Sequence, residues 1–493
     1  MIVRGCLIVL ALVAASSSAL AQRRRTCDIE FPNTPESREQ SFATPTGNRN
    51  VFIGGGVHAI CRRDRLDIRA DSAEYYGDEK RLFLVGNVVY DEPRIHLTSD
   101  YLTYFGLDER VVASSNVNVR LPSGSTMSGP QAEYLRRYPA RPVSVLTAIG
   151  RPTVNLVEQG APGAPPEPPT TVLASTFVVL QDSLIHGTGQ VEITRPDLVA
   201  KGDSAFIDSG EETMRLMRQP SVDGTRGRPY RLTGSTIDIF STQRRLQRVV
   251  SRDSATATSE DMDLAADTID LRVTNDLLQE AYAWGAGRAR AKSATQDIRA
   301  DSIHLVMPNQ RVRVANALGA ARAETMPDTL RIRTTERDWL MGDTLVATFD
   351  TTPPPPRPAG APRDSADRPR IERLRAAGDA RAYYHLPPSD TTTREPAINY
   401  VRGRVIIVDF DSARVATVTV EGRSSGVYLE PVRRDTASAV RDTTNARPDT
   451  ASAVRDTAVV PRSPAPADGQ PAPAPDTPRT PATTPLPPRP SRP

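Results

Sequence analysis

Apolar and polar residues alternate along most of this chain. In Arg81-Leu82-Phe83-Leu84-Val85-Gly86-Asn87-Val88-Val89-Tyr90, Leu82, Leu84, Gly86, Val88 and Tyr90 fall on one side of an extended strand. A period of two marks a strand with one apolar and one polar face, and convincing 3.6-residue periodicity is absent. In the next copy of the pattern Ser115, Val117 and Val119 share that side, and in neighbouring strands Ala73 and Tyr75, Leu102 and Tyr104, Ile237 and Ile239, and Ile269 and Leu271 line up likewise. A one-residue slip would turn each of these residues to solvent, so the register is strongly specified. Turn signals such as Gly77-Asp78-Glu79-Lys80, Gly106-Leu107-Asp108 and Thr274-Asn275-Asp276 separate the strands. The pattern predicts an all-β fold.

The strands repeat. Asp71-Ser72-Ala73-Glu74-Tyr75 returns as Asp100-Tyr101-Leu102-Thr103-Tyr104, Asp203-Ser204-Ala205-Phe206-Ile207, Asp267-Thr268-Ile269-Asp270-Leu271 and Asp301-Ser302-Ile303-His304-Leu305, with weaker copies at Gln131 and Ser175. The period is about 30 residues, in the range of solenoids and similar arrays. The pattern therefore predicts an elongated β-solenoid of roughly 30-residue repeats rather than separate globular domains. The aspartates and serines that open each copy are expected at corners, bonded to their own backbone. Repeats are expected over 64–158, 172–350 and 371–430, after a lead segment over 22–63. Pro-rich stretches at 159–171 and 351–370 interrupt them as insertions at turns, because Pro cannot join a central strand. From Pro431 to Pro493 the composition is Pro, Ala, Thr, Arg and Asp, too poor in apolar residues to bury a core, so a disordered tail is expected.

Composition changes this picture in two places. Arg4, the apolar run Cys6–Ala15 and the small residues ending Ala19-Leu20-Ala21 form a secretory signal over 1–21, with an uncleaved anchor as the alternative because Arg23, Arg24 and Arg25 follow. Export to an oxidising compartment would let Cys27 and Cys61 pair, the alternative being two free thiols. The net charge of +3, from 62 basic and 59 acidic residues, leaves no basic footprint for nucleic acid.

Ala70-Asp71-Ser72-Ala73-Glu74-Tyr75-Tyr76, Gly86-Asn87-Val88-Val89-Tyr90 and Thr98-Ser99-Asp100-Tyr101-Leu102-Thr103-Tyr104 resemble the OstA-like (organic solvent tolerance-like N-terminal domain) family. The family includes periplasmic bridge proteins of lipopolysaccharide transport and the N-terminal part of the outer-membrane lipopolysaccharide assembly barrel. The resemblance is best over 64–135 and extends more weakly to about 430. It implies a β-jellyroll or β-taco whose apolar interior holds acyl chains, with periplasmic residence and lipopolysaccharide as ligand. Its implied partners are the assembly barrel at one end and inner-membrane transport components at the other, with head-to-tail self-association as a further possibility. The array here is longer than a usual bridge domain, and the tail stands where a barrel would be.

On this reading the lipid-binding residues are Ala73, Tyr75, Leu82, Leu84, Val88, Tyr90, Leu102, Tyr104, Val117, Val119, Ile237, Ile239, Ile269 and Leu271. Arg404–Asp409 and Val415–Glu421 are expected as the final strands, offering Val405, Ile407, Val418 and Val420 as a partner edge. An acyl chain of a dozen methylenes costs roughly 10 kcal/mol to expose to water, so a lipid carrier needs a continuous apolar lining. Alternation alone leaves open whether the inward side chains line a groove or fill a core. No phosphate-binding loop, nucleophile motif or ligand-spaced histidine pair occurs, and neither cofactor nor metal is expected. The alternative from another class is a non-catalytic cell-envelope scaffold or adhesin.

Overall fold

The computed structural model describes residues 28–157, 168–243, 245–327, 332–350, 370–387, 394–411 and 414–431. The expected signal segment, Cys27, positions 159–167 and 351–369 of the two insertions, and the tail from 432 onward lie outside them. Among the described residues 27 strands form one sheet with antiparallel pairing, and the helical content is a single short turn at Pro308–Gln310. The first seven strands are β1 (Arg38–Ala43), β2 (Arg49–Cys61), β3 (Leu66–Tyr76), β4 (Arg81–Glu92), β5 (Ile95–Phe105), β6 (Arg110–Arg120) and β7 (Thr126–Leu135). Next come the short strands β8 (Val145–Ile149), β9 (Thr153–Leu156), β10 (Thr170–Leu173) and β11 (Thr176–Leu180), then the longer β12 (Leu184–Thr194) and β13 (Leu198–Asp208). Four short strands follow: β14 (Thr213–Met217), β15 (Ser221–Gly224), β16 (Tyr230–Thr233) and β17 (Thr236–Thr242). The array continues through β18 (Arg245–Ser259), β19 (Asp263–Thr274), β20 (Leu277–Lys292) and β21 (Gln296–Val306). It then runs through β22 (Val314–Thr325), β23 (Asp338–Phe349), β24 (Ile371–Leu386) and β25 (Ala397–Asp411), and ends in β26 (Arg414–Glu421) and β27 (Ser425–Leu429).

Each long strand pairs with its neighbours in two blocks, interrupted near its middle. Between β4 and β5, Val85 faces Tyr101 and Val88 faces Ser99, so two residues oppose one. Such a bulge bends the strand. The same two-against-one interruption recurs at Ser114/Val117, Thr188/Val191, Arg252/Ala255, Leu318/Ala321 and Ala377/Ala380, while at Arg69/Ser72 two residues oppose three and at Trp284/Ala289 four oppose one. The meander is thereby folded lengthwise along a line of bends into two walls. One contains the β2 half up to Gly54, the β3 half from Ser72 and the β4 half up to Val85; the other contains their remaining halves. Where β8 and β9, β10 and β11, β14 and β15, β16 and β17, or β26 and β27 replace one long strand, the bend has become a break, with one piece in each wall.

The local chemistry of the bend is repetitive. On β4, β6, β12, β18, β22 and β24 two successive residues take left-handed backbone: Gly86-Asn87, Ser115-Asn116, Gly189-Gln190, Asp253-Ser254, Gly319-Ala320 and Gly378-Asp379. Gly, Asn, Asp and Ser predominate there, and the left-handed region costs an L residue with a bulky side chain roughly 1–2 kcal/mol. A Cβ on Gly86 would collide with the Asp71 carboxylate across the bend. The repeated aspartates stand against these bulges, and their partners are on the next strand. Asn87 Nδ2 donates to Asp71 at 3.0 Å, Asn116 Nδ2 to Asp100 at 2.6 Å and the Gly287 N–H to Asp267 at 2.8 Å. The expectation that they would bond their own backbone is corrected. A residue at a bend has its own strand turned away and its neighbour's bulge turned toward it.

The bend also decides which residues face inward. Leu66, Ile68 and Ala70 are inward before Asp71, whereas Ala73 and Tyr75 are inward after it, a change of parity. On β4 the two left-handed residues preserve parity, so Leu82, Leu84, Val88 and Tyr90 all point in. Gly86 and Ser115 do not line the interior: they form the bulge, and Ser115 is exposed. The inward faces make one hydrophobic core that runs from Val51 to Val408.

Candidate functional site: the interior and the mouth of the folded sheet

The sequence placed its candidate lipid-contacting residues on this inner face, and the structure brings them together. Ala73, Leu82, Leu84, Val88, Tyr90, Leu102, Tyr104, Val117, Val119, Ile237, Ile239, Ile269 and Leu271 belong to the single core cluster, and half-buried Tyr75 packs against it. Their exposures run from 0% to 4%, apart from Tyr75. Side chains therefore fill the interior at these positions. Of the two alternatives that alternation left open, this conformation is the packed core rather than an open trough.

An apolar gap interrupts the packing. It lies between Tyr230, Ala257, Met262 and Leu264 on one wall and Leu271, Leu278, Leu305, Met307 and Val312 on the other, with Arg228, Asp261 and Gln310 at its rim. Its volume of about 70 Å³ is well below the ~300–1,000 Å³ of ligand pockets. Burial raises the pKa of Tyr230, which keeps its hydroxyl protonated.

The line of bends closes one long side of the fold through continuous backbone. The opposite side, where the turns of the two walls meet, is a mouth. Within each wall neighbouring turns are joined by backbone bonds, such as Gly106 N–H to Lys80 C=O at 2.8 Å and Thr225 N–H to Asp197 C=O at 3.0 Å. Contacts across the mouth are made by side chains. Arg94 reaches Asp182 at 3.4 Å, Arg195 Nη1 donates to Ser241 Oγ at 2.8 Å, and Arg226 pairs with Asp276 at 2.7 Å. Gln310 bridges by accepting from the Arg228 N–H and donating to the Arg226 carbonyl at 3.2 Å. Desolvation raises the pKa of Asp182, against the opposing pull of Arg94.

The most buried of these contacts surrounds Arg136. Arg136 lies just beyond β7, and its guanidinium meets Glu92 of the other wall at 2.7 Å and Glu109 of its own at 2.5 Å. Tyr134 OH donates to Glu92 at 2.6 Å, Tyr90 OH to Glu92 at 3.2 Å and Tyr104 OH to Glu109 at 2.9 Å. Burial, followed by the adjacent glutamates, holds the pKa of all three phenols far above normal, so they remain donors. Burial alone would lower the Arg136 pKa, but the surrounding phenols and carboxylates outweigh it and the net shift is upward. Tyr90 and Tyr104 were legible as inward residues; Glu92, Glu109, Tyr134 and Arg136 were missed. The available signal is an acidic residue in or next to a turn, a few positions beyond an inward tyrosine.

The two ends of the interior differ. At the N-terminal end Ile29 and Phe31 pack on the core, Phe31 lies 5.6 Å from Tyr75, and Glu30 pairs with Ile60. Next to that bridge Cys61 is buried and disulfide-bonded. At the C-terminal end Val418 and Val420 face inward and are half-buried, as expected of a terminal strand. The rest of the expected edge is corrected. In β25 the core residues are Ile406 and Val408; Val405 and Ile407 occupy the opposite face, the first buried and the second half-buried. The parity change at the bend near Gly403 reverses the register there. β25 is moreover an interior strand, and among the described residues the last strands at this end are β26 in one wall and β27, which the alternation did not predict, in the other. Thr170 and Thr171, expected in an insertion, begin β10. His304 stacks on Tyr282 with ring centroids 4.1 Å apart and is half-buried on the outer face. Among the described residues no three His, Cys, Asp or Glu side chains gather into a metal-holding group.

No protein-family model and no curated protein matches this chain.

Proposed function

We propose that this chain is a non-catalytic periplasmic carrier of lipopolysaccharide, taking acyl chains between the two walls of its folded sheet. The observation that supports this reading is the construction of the mouth. A continuous apolar interior, spanning Val51 to Val408, is bounded on one side by side chains instead of by a backbone ladder. The walls can part there without breaking strand pairing, and the inner surface so exposed is apolar along its length. Separating them would replace wall-to-wall contacts with wall-to-lipid contacts of the same chemistry, so loading asks for little net free energy per methylene. The apolar gap beneath Arg226, Arg228 and Gln310 is where that separation has the shortest way to go. The resemblance of residues 64–135 to OstA-like domains adds the ligand class and the compartment. Strand addition at β26 and β27 supplies the route to an outer-membrane assembly barrel.

The filled interior favours a second reading, a rigid envelope scaffold whose core never opens. Mass spectrometry of the intact protein purified from cell envelopes separates the two. A carrier brings down lipopolysaccharide or its hydroxylated fatty acids. Protein recovered free of lipid that also takes up none from lipopolysaccharide micelles would leave the scaffold.

A further inference from the structure

We infer that the Arg136 cluster is a releasable clasp: a polar seam that holds the walls together over β3–β7 and whose opening exposes the interior beneath it. The inference takes its purpose from the carrier reading, but its test does not depend on that reading.

The argument starts from where the charges lie. Arg136 and Glu109 belong to one wall and Glu92 to the other, and their side chains are 8%, 10% and 6% exposed. Tyr134 reaches the same Glu92 from the wall of Arg136, and Asp64 lies 3.9 Å from the guanidinium on the side of Glu92. Arg141 completes the surroundings by donating to the Arg136 carbonyl at 3.0 Å. Tyr90, whose hydroxyl donates to Glu92, is paired with Leu97 on the next strand, and both are fully buried.

Buried ion clusters are an inefficient way to hold two surfaces together, since well-packed apolar residues of similar volume do it as well or better. Their distinguishing property is what happens when the surfaces separate. An apolar seam exposes only apolar surface to water when it parts. In this seam the guanidinium, both carboxylates and three phenols exchange each other for water, so much of the cost of opening is returned by hydration. The geometry is that of a joint built to come apart at the mouth while the ladder along each wall persists.

The test places a thiol at Leu97 (Leu97→Cys) in the full-length protein and follows its labelling by a maleimide, with the chain lacking that substitution as background. Arg136→Met strands Glu92 and Glu109 against each other and should speed labelling at least about tenfold by local opening. Adding Glu92→Met and Glu109→Met together with Tyr90→Phe, Tyr104→Phe and Tyr134→Phe, so that no phenol loses its acceptor, makes the seam apolar and should bring the rate to that of the parent or below it. A second thiol at Ile269 (Ile269→Cys), far along the array, reports global unfolding and should not respond. The inference is overturned if Arg136→Met leaves labelling at position 97 unchanged, if it raises both thiols equally, or if the variant with the apolar seam labels as fast as Arg136→Met. Uptake of a fluorescent twelve-carbon fatty acid by the same variants addresses the carrier reading separately. Fast labelling without uptake keeps the clasp and removes the lipid.

Discussion

At the scale of single residues the fold is governed by a few side chains in special backbone or electrostatic positions. The bend needs two left-handed residues on one strand and a short acceptor on the next, which Gly86-Asn87 and Asp71 provide. The outer surface carries a comparable economy in Asp297, whose side chain is 5% exposed and bonded by Arg290 at 2.6 Å and Arg299 at 3.0 Å. These bonds, Arg290 first, outweigh desolvation and lower its pKa to about 2. A carboxylate depressed in the folded state stabilises above its unfolded pKa and loses that contribution as pH falls through the folded value. The window here is from about pH 4 down to about pH 2. Because both arginines are nearly half exposed, screening leaves about 1 kcal/mol of the stabilisation. Asp297→Asn should therefore be less stable than the parent at pH 7, with the gap closing between pH 4 and pH 2. Urea titrations at these pH values check it, and a gap independent of pH would remove the electrostatic account.

At the scale of elements the informative contrast is between β25 and the two pieces that follow it. Ile407 lies in a strand paired on both sides, to Arg375 of β24 and to Thr419 of β26. Pro at that position cannot act as a ladder donor and disturbs an interior strand, so Ile407→Pro should destabilise the C-terminal hairpins rather than only weaken partner capture. Val427, by contrast, is 54% exposed on the last strand, next to the exposed Tyr428 and Leu429. Val427→Asp should change folding stability by no more than about 0.5 kcal/mol while reducing association at this edge. Thermal melts paired with site-specific crosslinking at Leu429, exposed on the same strand, give the answer. Undiminished crosslinking to partner strands in Val427→Asp would take the edge out of the mechanism.

At the scale of the whole molecule, strands contact their sequence neighbours, so stability is a sum of local interfaces rather than a property of one centre. Truncating Val408, 7% exposed near the C-terminal end, should lower hydrogen-exchange protection in β23–β27 and leave β3–β7 unchanged. Equal loss of protection at both ends of the array in Val408→Ala would show a single cooperative unit instead. The same locality makes a clasp at one stretch of the mouth physically reasonable, because opening over β3–β7 leaves the pairing of β18–β25 in place.

The sequence by itself determined most of the strands, their period, the repeat and, where apolar and polar residues alternate, the inner face of a half-strand. All of these follow from local alternation, turn residues and the Asp-rich motif, which act over a few positions. Leu82, Leu84, Val88 and Tyr90 were readable because both their wall halves share one parity. Ile407 was misread because a bend shifts parity and a bend leaves only a weak local mark. The tertiary structure alone decided that the sheet folds over itself, that the folded interior is packed, and which residues meet across its mouth. Glu92, Glu109 and Arg136 each end a different strand or turn, and no spacing along the chain ties one to another. Their encounter depends on how two walls close, and closure is set by the summed geometry of every bend.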